Sequence, residues 1–198
     1  PASNASITAN FTVKPVVVAP PASSSTPTPT PTPTPVPVVM IDDQSKPVVK
    51  TVTKDTNAGK VITTVVMDDT LLQEQLRGEV GKITVPVTDG SDVVGQLNGQ
   101  SIKNMESKEA VLELATGDAK YTLPAAQINI DSVSEKLGQN VELKDIIVSV
   151  KMVSPSEDTV KIVADTANRN NYQIVVKPIE FEITCTSGDK TVEVSKFN

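Results

Sequence analysis

The acidic residues around Asp89-Gly-Ser-Asp92 are the side chains of this sequence best suited to contact a metal ion. Carboxylate oxygens are ligands that calcium prefers. The segment lacks the alternating acids and the distal Glu of a calcium-binding loop. Asp89 and Asp92 are therefore only a weak calcium candidate, and a turn followed by a helix cap is the favoured interpretation.

Residues suited to catalysis are few. The chain has no histidine, the most frequent general base and transition-metal ligand. Asp42-Asp43 and Asp68-Asp69 are adjacent pairs that rarely enter one pocket, and the second pair precedes a predicted helix, where negative charge is favourable. A hydrolase would need distant acids such as Glu113, Asp131 and Asp145 to meet, which the sequence does not support. We therefore predict no enzyme, no catalytic residue and no cofactor.

The single cysteine, Cys185, lies in the alternating segment Phe181-Glu-Ile-Thr-Cys185, on the same face as Ile183. This position favours a small buried hydrophobic residue over a nucleophile or a thioester-type crosslink. An intramolecular Lys–Asn amide is a second crosslink hypothesis, and it predicts an intact mass that is lower by one water. Spacing identifies no partner for either crosslink.

Composition excludes several classes of partner. The net charge is −6 and no basic patch is found, which argues against nucleic acid. No apolar run approaches the ~18 to 20 residues that span a bilayer. Tyr121 and Tyr172 are the only tyrosines and there is no tryptophan, so a stacking platform for sugar rings is hard to assemble. The scarcity of aromatic residues predicts a core of branched aliphatic residues, which favour strands.

The pattern of apolar residues predicts the elements that would position these groups. Strands are predicted at 48–53, 60–67, 82–88, 110–114, 120–123, 141–153, 172–186 and 191–197. Short helices are predicted from Thr70 toward Gly78, from Ser132 to Gly138, and from a capping Ser154 toward Asn168. A further helical face over 92–105 is weakened by Gly95 and Gly99. The expected fold class is α+β, a mostly antiparallel sheet with three to four short helices.

The prolines divide the chain into three parts. Residues 1–14 contain the alternating segment SITANFTV, which predicts the terminal strand of an upstream domain. Residues 15–40 are a Thr/Pro-rich linker, expected to be polyproline II and to reach about 55 Å between Pro20 and Pro37. Residues 41–198 are predicted to be one α+β module.

Three segments of the module carry a resemblance to a known family. They are YTLPAAQINIDSVSEKLG from Tyr121, SPSEDTVKIVADTANRNNYQIVVKPIEFEITC from Ser154, and GDKTVEVSKFN up to Asn198. They resemble the connector module that precedes the S-layer homology domains in surface proteins of Paenibacillus-like Gram-positive bacteria. SITANFTV is similar to the end of an internalin-type β-repeat.

The resemblance implies a non-catalytic connector and display module of a cell-surface, S-layer-associated protein. Its partners would be neighbouring domains of the same polypeptide. Secondary cell-wall polymer would be bound only by a region beyond Asn198. The expected location is extracellular, at the cell wall. The alternative is a protein- or carbohydrate-binding module of an extracellular protein, with protein binding at an exposed strand edge.

Overall fold

The structure is a computed structural model that describes residues 38–194 except 58, 91 and 139. The strand predicted within residues 1–14 and most of the linker predicted at 15–40 lie outside the described residues. The described chain begins beside the core, because Val39 is fully buried and the first strand, β1, is Met40–Ile41. The last residues assigned to the linker therefore belong to the folded part.

The described strands form two sheets. The first sheet has the order β2 (Gln44–Ser45), β1, β5 (Lys82–Val87), β7 (Val111–Thr116), β8 (Lys120–Pro124). The second has the order β11 (Lys190–Glu193), β10 (Glu180–Ser187), β9 (Ile147–Val153), β6 (Asp92–Asn98), β4 (Lys60–Met67), β3 (Val49–Asn57). Among the described strand pairs, β4–β6 and β5–β7 are parallel and the others are antiparallel. The predicted α+β class is confirmed.

Both parallel pairs arise because the chain alternates between the sheets. Between β4 and β6 it forms α1 (Asp69–Gln75) and then β5 of the first sheet. Between β5 and β7 it forms β6 of the second sheet and then α2 (Gly99–Glu106). Parallel neighbours need such crossovers. The two sheets consequently share one aliphatic core, in which side chains such as Val85, Leu114 and Val150 are fully buried.

The predicted helices are present with shifted starts. The remaining helices are α3 (Ile130–Leu137), α4 (Glu157–Arg169) and two 3-10 helices, Ala125–Ile128 and Leu143–Asp145. The side chain of Asp68 caps α1 by accepting a hydrogen bond from the Leu71 amide at 3.0 Å. The cap of α4 is Ser156, not the predicted Ser154, and its hydroxyl accepts from the Thr159 amide at 3.2 Å.

The helical face predicted over 92–105 is wrong for its first half, which is strand β6. Gly95 explains the difference, since a Cβ atom there would lie 3.0 Å from Leu114 Cδ2 and 3.7 Å from Val85 Cγ2. A glycine in a strand often marks such a close approach. Strand β6 also pairs with β4 on one side and β9 on the other. Long-range pairing therefore decides a segment whose local pattern is ambiguous.

Two predicted strands, 141–153 and 172–186, are too long. The strand predicted at 141–153 begins only at Ile147, because Leu143–Asp145 is a 3-10 helix. The strand predicted at 172–186 begins at Glu180, which pairs with Val153, the last residue of β9. Residues 172–179 lie beyond that end and are not in the sheet. The last strand is Lys190–Glu193, and residues 195–197 of its predicted range are outside the described residues.

Candidate functional site

Asp89 and Asp92 lie at one corner of the second sheet. Asp89 is in the connection after β5, and Asp92 begins β6. Gly90 between them has φ +79°, a conformation that glycine adopts without steric cost. A bend at Asp89 and Gly90 lies where the turn is predicted. The predicted helix cap is wrong, because Asp92 begins a strand.

Asp92 hydrogen-bonds the residue that directly follows β9. Its Oδ1 accepts hydrogen bonds from both the amide and the hydroxyl of Ser154, each at 2.8 Å. Ser154 directly follows Val153, the last residue of β9. A carboxylate that accepts two donors from one residue fixes that residue's position. Because the Ser154 hydroxyl is bonded to Asp92, the side chain that caps α4 is that of Ser156.

Lys60, the first residue of β4, binds the same stretch of backbone after β9. Its Nζ donates to the carbonyl oxygens of Ser154 at 3.0 Å and Pro155 at 2.6 Å. Both carbonyl groups belong to residues that precede α4 in the chain, and Pro155 is buried. A lysine that binds two successive carbonyls immobilises the backbone between sheet and helix.

Asp89 completes the corner through an ion pair with Lys54 of β3. Both side chains are about one-third exposed, so this pair contributes at most about 1 kcal/mol to stability. We call Lys54, Lys60, Asp89, Asp92 and Ser154 the corner. Sequence reasoning missed Lys60 and the anchoring role of Ser154, since their pairing joins residues 94 positions apart.

The corner contains two carboxylates, those of Asp89 and Asp92. Within the described ranges, no three His, Cys, Asp or Glu side chains come together in a way that could hold a metal ion. Asp92 and Asp89 both have partners within the protein. Their contacts account for a structural role, and the weak calcium candidate stays a prediction.

A cleft of about 510 Å³ lies beside the corner. One wall is the turn between β7 and β8, at Thr116–Asp118, and another is the end of β9. Residues 175–179 form a third wall, which includes Lys177. Asp92 and Ser154 of the corner also line this cleft.

The face of the second sheet directed away from the core forms a shallow concavity of about 630 Å³. Gln96 of β6 donates to the Ser149 hydroxyl of β9 at 3.0 Å, and Lys151 of β9 pairs with Glu182 of β10 at 2.9 Å. The face is therefore polar at its centre, with its groups bonded across neighbouring strands.

The distant acids considered for hydrolysis lie on different elements. Glu113 of β7 accepts from the Thr84 hydroxyl at 3.2 Å and pairs with Lys120 at 3.4 Å. Asp131 of α3 pairs with Lys103 at 2.6 Å, and this contact raises the pKa of Lys103. Asp145 ends the second 3-10 helix. Glu113 and Asp131 thus each have a lysine partner.

Cys185 is fully buried on β10, as predicted, opposite Val192 of β11. Burial raises the pKa of its thiol to about 11. Since the thiolate is the reactive form, the thiol stays protonated and unreactive at neutral pH. The two tyrosines differ in environment: Tyr121 stacks on Phe181, whereas Tyr172 is 73% exposed.

No family model, curated protein or solved structure matches this chain. In the described part of the chain, no helix is long and apolar enough to cross a membrane.

Proposed function

We propose that residues 41–198 are a non-catalytic connector and display module of a cell-surface, S-layer-associated protein. In this role the module spaces extracellular domains from a wall-anchoring region. The observation that carries the proposal is the position of the first and last described strands. Strand β1 belongs to the first sheet and β11 to the second, and both sheets share one core.

This arrangement suits a module that transmits tension. A pull between the two ends of the described chain loads both sheets, so that the shared core must open before they separate. The Thr/Pro-rich composition of residues 15–37 suits a stiff spacer on one side. The resemblance of three segments to the S-layer connector implies the order of the domains along the polypeptide. Variable domains would lie toward Pro1 and the wall anchor beyond Asn198.

The polar groups of the corner support a structural role. Asp92 and Lys60 hold the backbone of Ser154 and Pro155, and Asp89 pairs with Lys54. These side chains form their hydrogen bonds and ion pair with other groups of the same chain. Such groups stabilise a fold rather than bind a substrate.

Two measurements test the proposal. The coding sequence that follows Asn198 should encode S-layer homology repeats, and its lack of them would remove the main support. The chain itself should not sediment with purified wall carrying pyruvylated secondary polymer, whereas an S-layer homology triplet used as positive control should. Saturable binding by the chain alone would show that wall binding is not confined to a downstream region.

A mechanical measurement tests the role itself. With handles at Pro1 and Asn198, single-molecule stretching should give one cooperative unfolding event for the module, because both sheets depend on one core. Two separate events, one for each sheet, would contradict a shared core as the element that carries tension.

The second candidate function is a binding module, and the concavity on the second sheet is the observation that favours it. Gln96, Lys151 and Glu182 supply hydrogen-bonding groups of the kind that recognise carbohydrate or protein. A glycan array with the full chain tests this function. Reproducible, saturable binding that is lost in Gln96→Ala would favour the binding module over the connector.

A further inference from the structure

Residues 154–179 form an excursion from the second sheet, which we call the arm. It leaves the sheet after Val153 and returns at Glu180, and these two residues are paired neighbours on β9 and β10. Helix α4 and the segment 170–179 make up most of the arm. Ile179 at its end packs against the core. The other large apolar side chains of the arm are between 36% and 86% exposed: Val160, Ile162, Val163, Tyr172, Ile174, Val175 and Val176.

Helix α4 is well formed but has little tertiary support. The cap at Ser156, the acids of its first turn and Arg169 in its last turn all favour a helix locally. None of its 13 residues is buried. Isolated helices of this length are marginal in water, and most helices gain their stability from packing. The anchored base and the unpacked helix together indicate a surface that is completed by a partner.

The outer face of α4 has an ordered charge pattern. Residues 158, 162, 165 and 169 are spaced at intervals of four, three and four positions, so they lie along one side of the helix, and Lys161 borders them. Ile162, near the middle, is 64% exposed. In the described part of the chain, no salt bridge involves the charged side chains of Asp158, Lys161, Asp165 or Arg169.

The charges on this face are complementary to a second copy that runs in the opposite direction. Lys161 and Asp165 are equally distant from position 163, and Asp158 and Arg169 are nearly so. A two-fold axis through that point places Lys161 opposite the partner's Asp165, and Asp158 opposite the partner's Arg169, each twice. It also places the exposed Ile162 beside the partner's Ile162. Parallel pairing would instead bring identical charges together.

We propose that the arm is a self-association surface, through which two copies of this chain pair by antiparallel packing of their α4 helices. The contact is isologous, because the same face is used by both copies. It extends over a helix of about 20 Å, which is small for a protein interface, so a weak dimer in the micromolar range is expected. This inference goes beyond the connector function and does not depend on it.

The test is a charge exchange in the full chain, followed by sedimentation equilibrium from low micromolar to near-millimolar concentration. Wild type should show a monomer–dimer equilibrium. Lys161→Asp and Asp165→Lys should each weaken self-association by roughly tenfold or more, because each places like charges opposite one another. Lys136→Asp makes the same charge change on α3 and should leave the dimer unchanged.

Mixing the two single variants gives the sharpest result. In a heterodimer, the two acids of Lys161→Asp face the two lysines of Asp165→Lys, so the mixture should associate more tightly than either variant alone. Wild type that is monomeric throughout would overturn the proposal. So would a Lys161→Asp variant that dimerises like wild type, or a mixture that fails to associate while both variants keep the wild-type circular dichroism spectrum.

Discussion

The aromatic rings of Tyr121 and Phe181 stack with their centroids 4.2 Å apart and their planes inclined by 28°. Tyr121 belongs to β8 at the edge of the first sheet, and Phe181 to β10 of the second. The contact thus joins the two sheets. Burial beside the core raises the pKa of the Tyr121 hydroxyl.

Phe181→Leu should lower the free energy of unfolding by about 1–2 kcal/mol, because the stacking contact and part of the buried area are lost. Urea denaturation measures this change. Combined with Tyr121→Leu in a double-mutant cycle, it should give a coupling of about 0.5–1.5 kcal/mol between the rings. Tyr172→Leu, at an exposed tyrosine, is the control and should have little effect. A coupling close to zero would mean that the rings do not stabilise the sheet contact.

Gly95→Ala should destabilise the fold by about 1–3 kcal/mol, because its Cβ atom would press on the buried Leu114. Gly117→Ala is the matched control, since a Cβ atom there meets nothing within 4 Å and the glycine does not have a positive φ. The control should be neutral or slightly stabilising. Thermal unfolding of both variants checks this prediction, and equal melting temperatures would contradict the close approach of the sheets.

Asp92→Ala should loosen the base of the arm, because the amide and hydroxyl of Ser154 lose their shared acceptor. We expect a loss of about 1–3 kcal/mol in the free energy of unfolding. Trypsin should also cleave faster at Lys161, Arg169 and Lys177 within the arm. Asp118→Ala, which removes an exposed acid on the other wall of the cleft, serves as control. Unchanged cleavage rates in Asp92→Ala would show that the corner does not hold the arm.

Cys185 should make stability depend on alkaline pH. Its thiol has a pKa of about 11 in the folded protein and an ordinary value of 9.0 when unfolded. The unfolded state therefore loses its proton first as the pH rises. The stabilisation is complete below pH 9 and is lost between about pH 9 and 11, by on the order of 2 kcal/mol.

Lysines and tyrosines titrate in the same pH range, so the effect of Cys185 is measured as the difference between wild type and a variant without the thiol. The free energy of unfolding is followed from pH 8 to 11 for wild type and for Cys185→Val. Wild type should lose stability more steeply than the variant. Equal slopes, or rapid alkylation of the folded wild type at pH 8, would contradict a buried, protonated thiol.

Local signals predicted the elements that local physics controls. The hairpin around residues 54–59, the strand at 82–88 and the helix ending at Gly138 follow from alternation and turn or capping residues. Burial of Cys185 followed from its place in an alternating strand. In each of these segments, the preference of the chain agrees with its tertiary environment.

Errors arose where distant residues decide the outcome. Residues 92–98 form a strand because β4 and β9 lie on either side and because Gly95 accommodates Leu114. Residues 172–179 alternate like a strand but stay outside the sheet, since β9 ends at Val153. Ser154 has the sequence signature of a helix cap, yet Asp92 engages its amide and hydroxyl first. No local pattern contains these partners.

By itself, the sequence determined the fold class, the aliphatic core and most of the helices and strands, because hydrophobic periodicity and turn chemistry act over a few residues. Only the tertiary structure decided that the strands divide into two sheets and that Asp92 and Lys60 meet at Ser154. It alone showed that the arm leaves α4 unpacked. These features depend on contacts between residues dozens of positions apart, which chain folding brings together and which leave no regular spacing in the sequence.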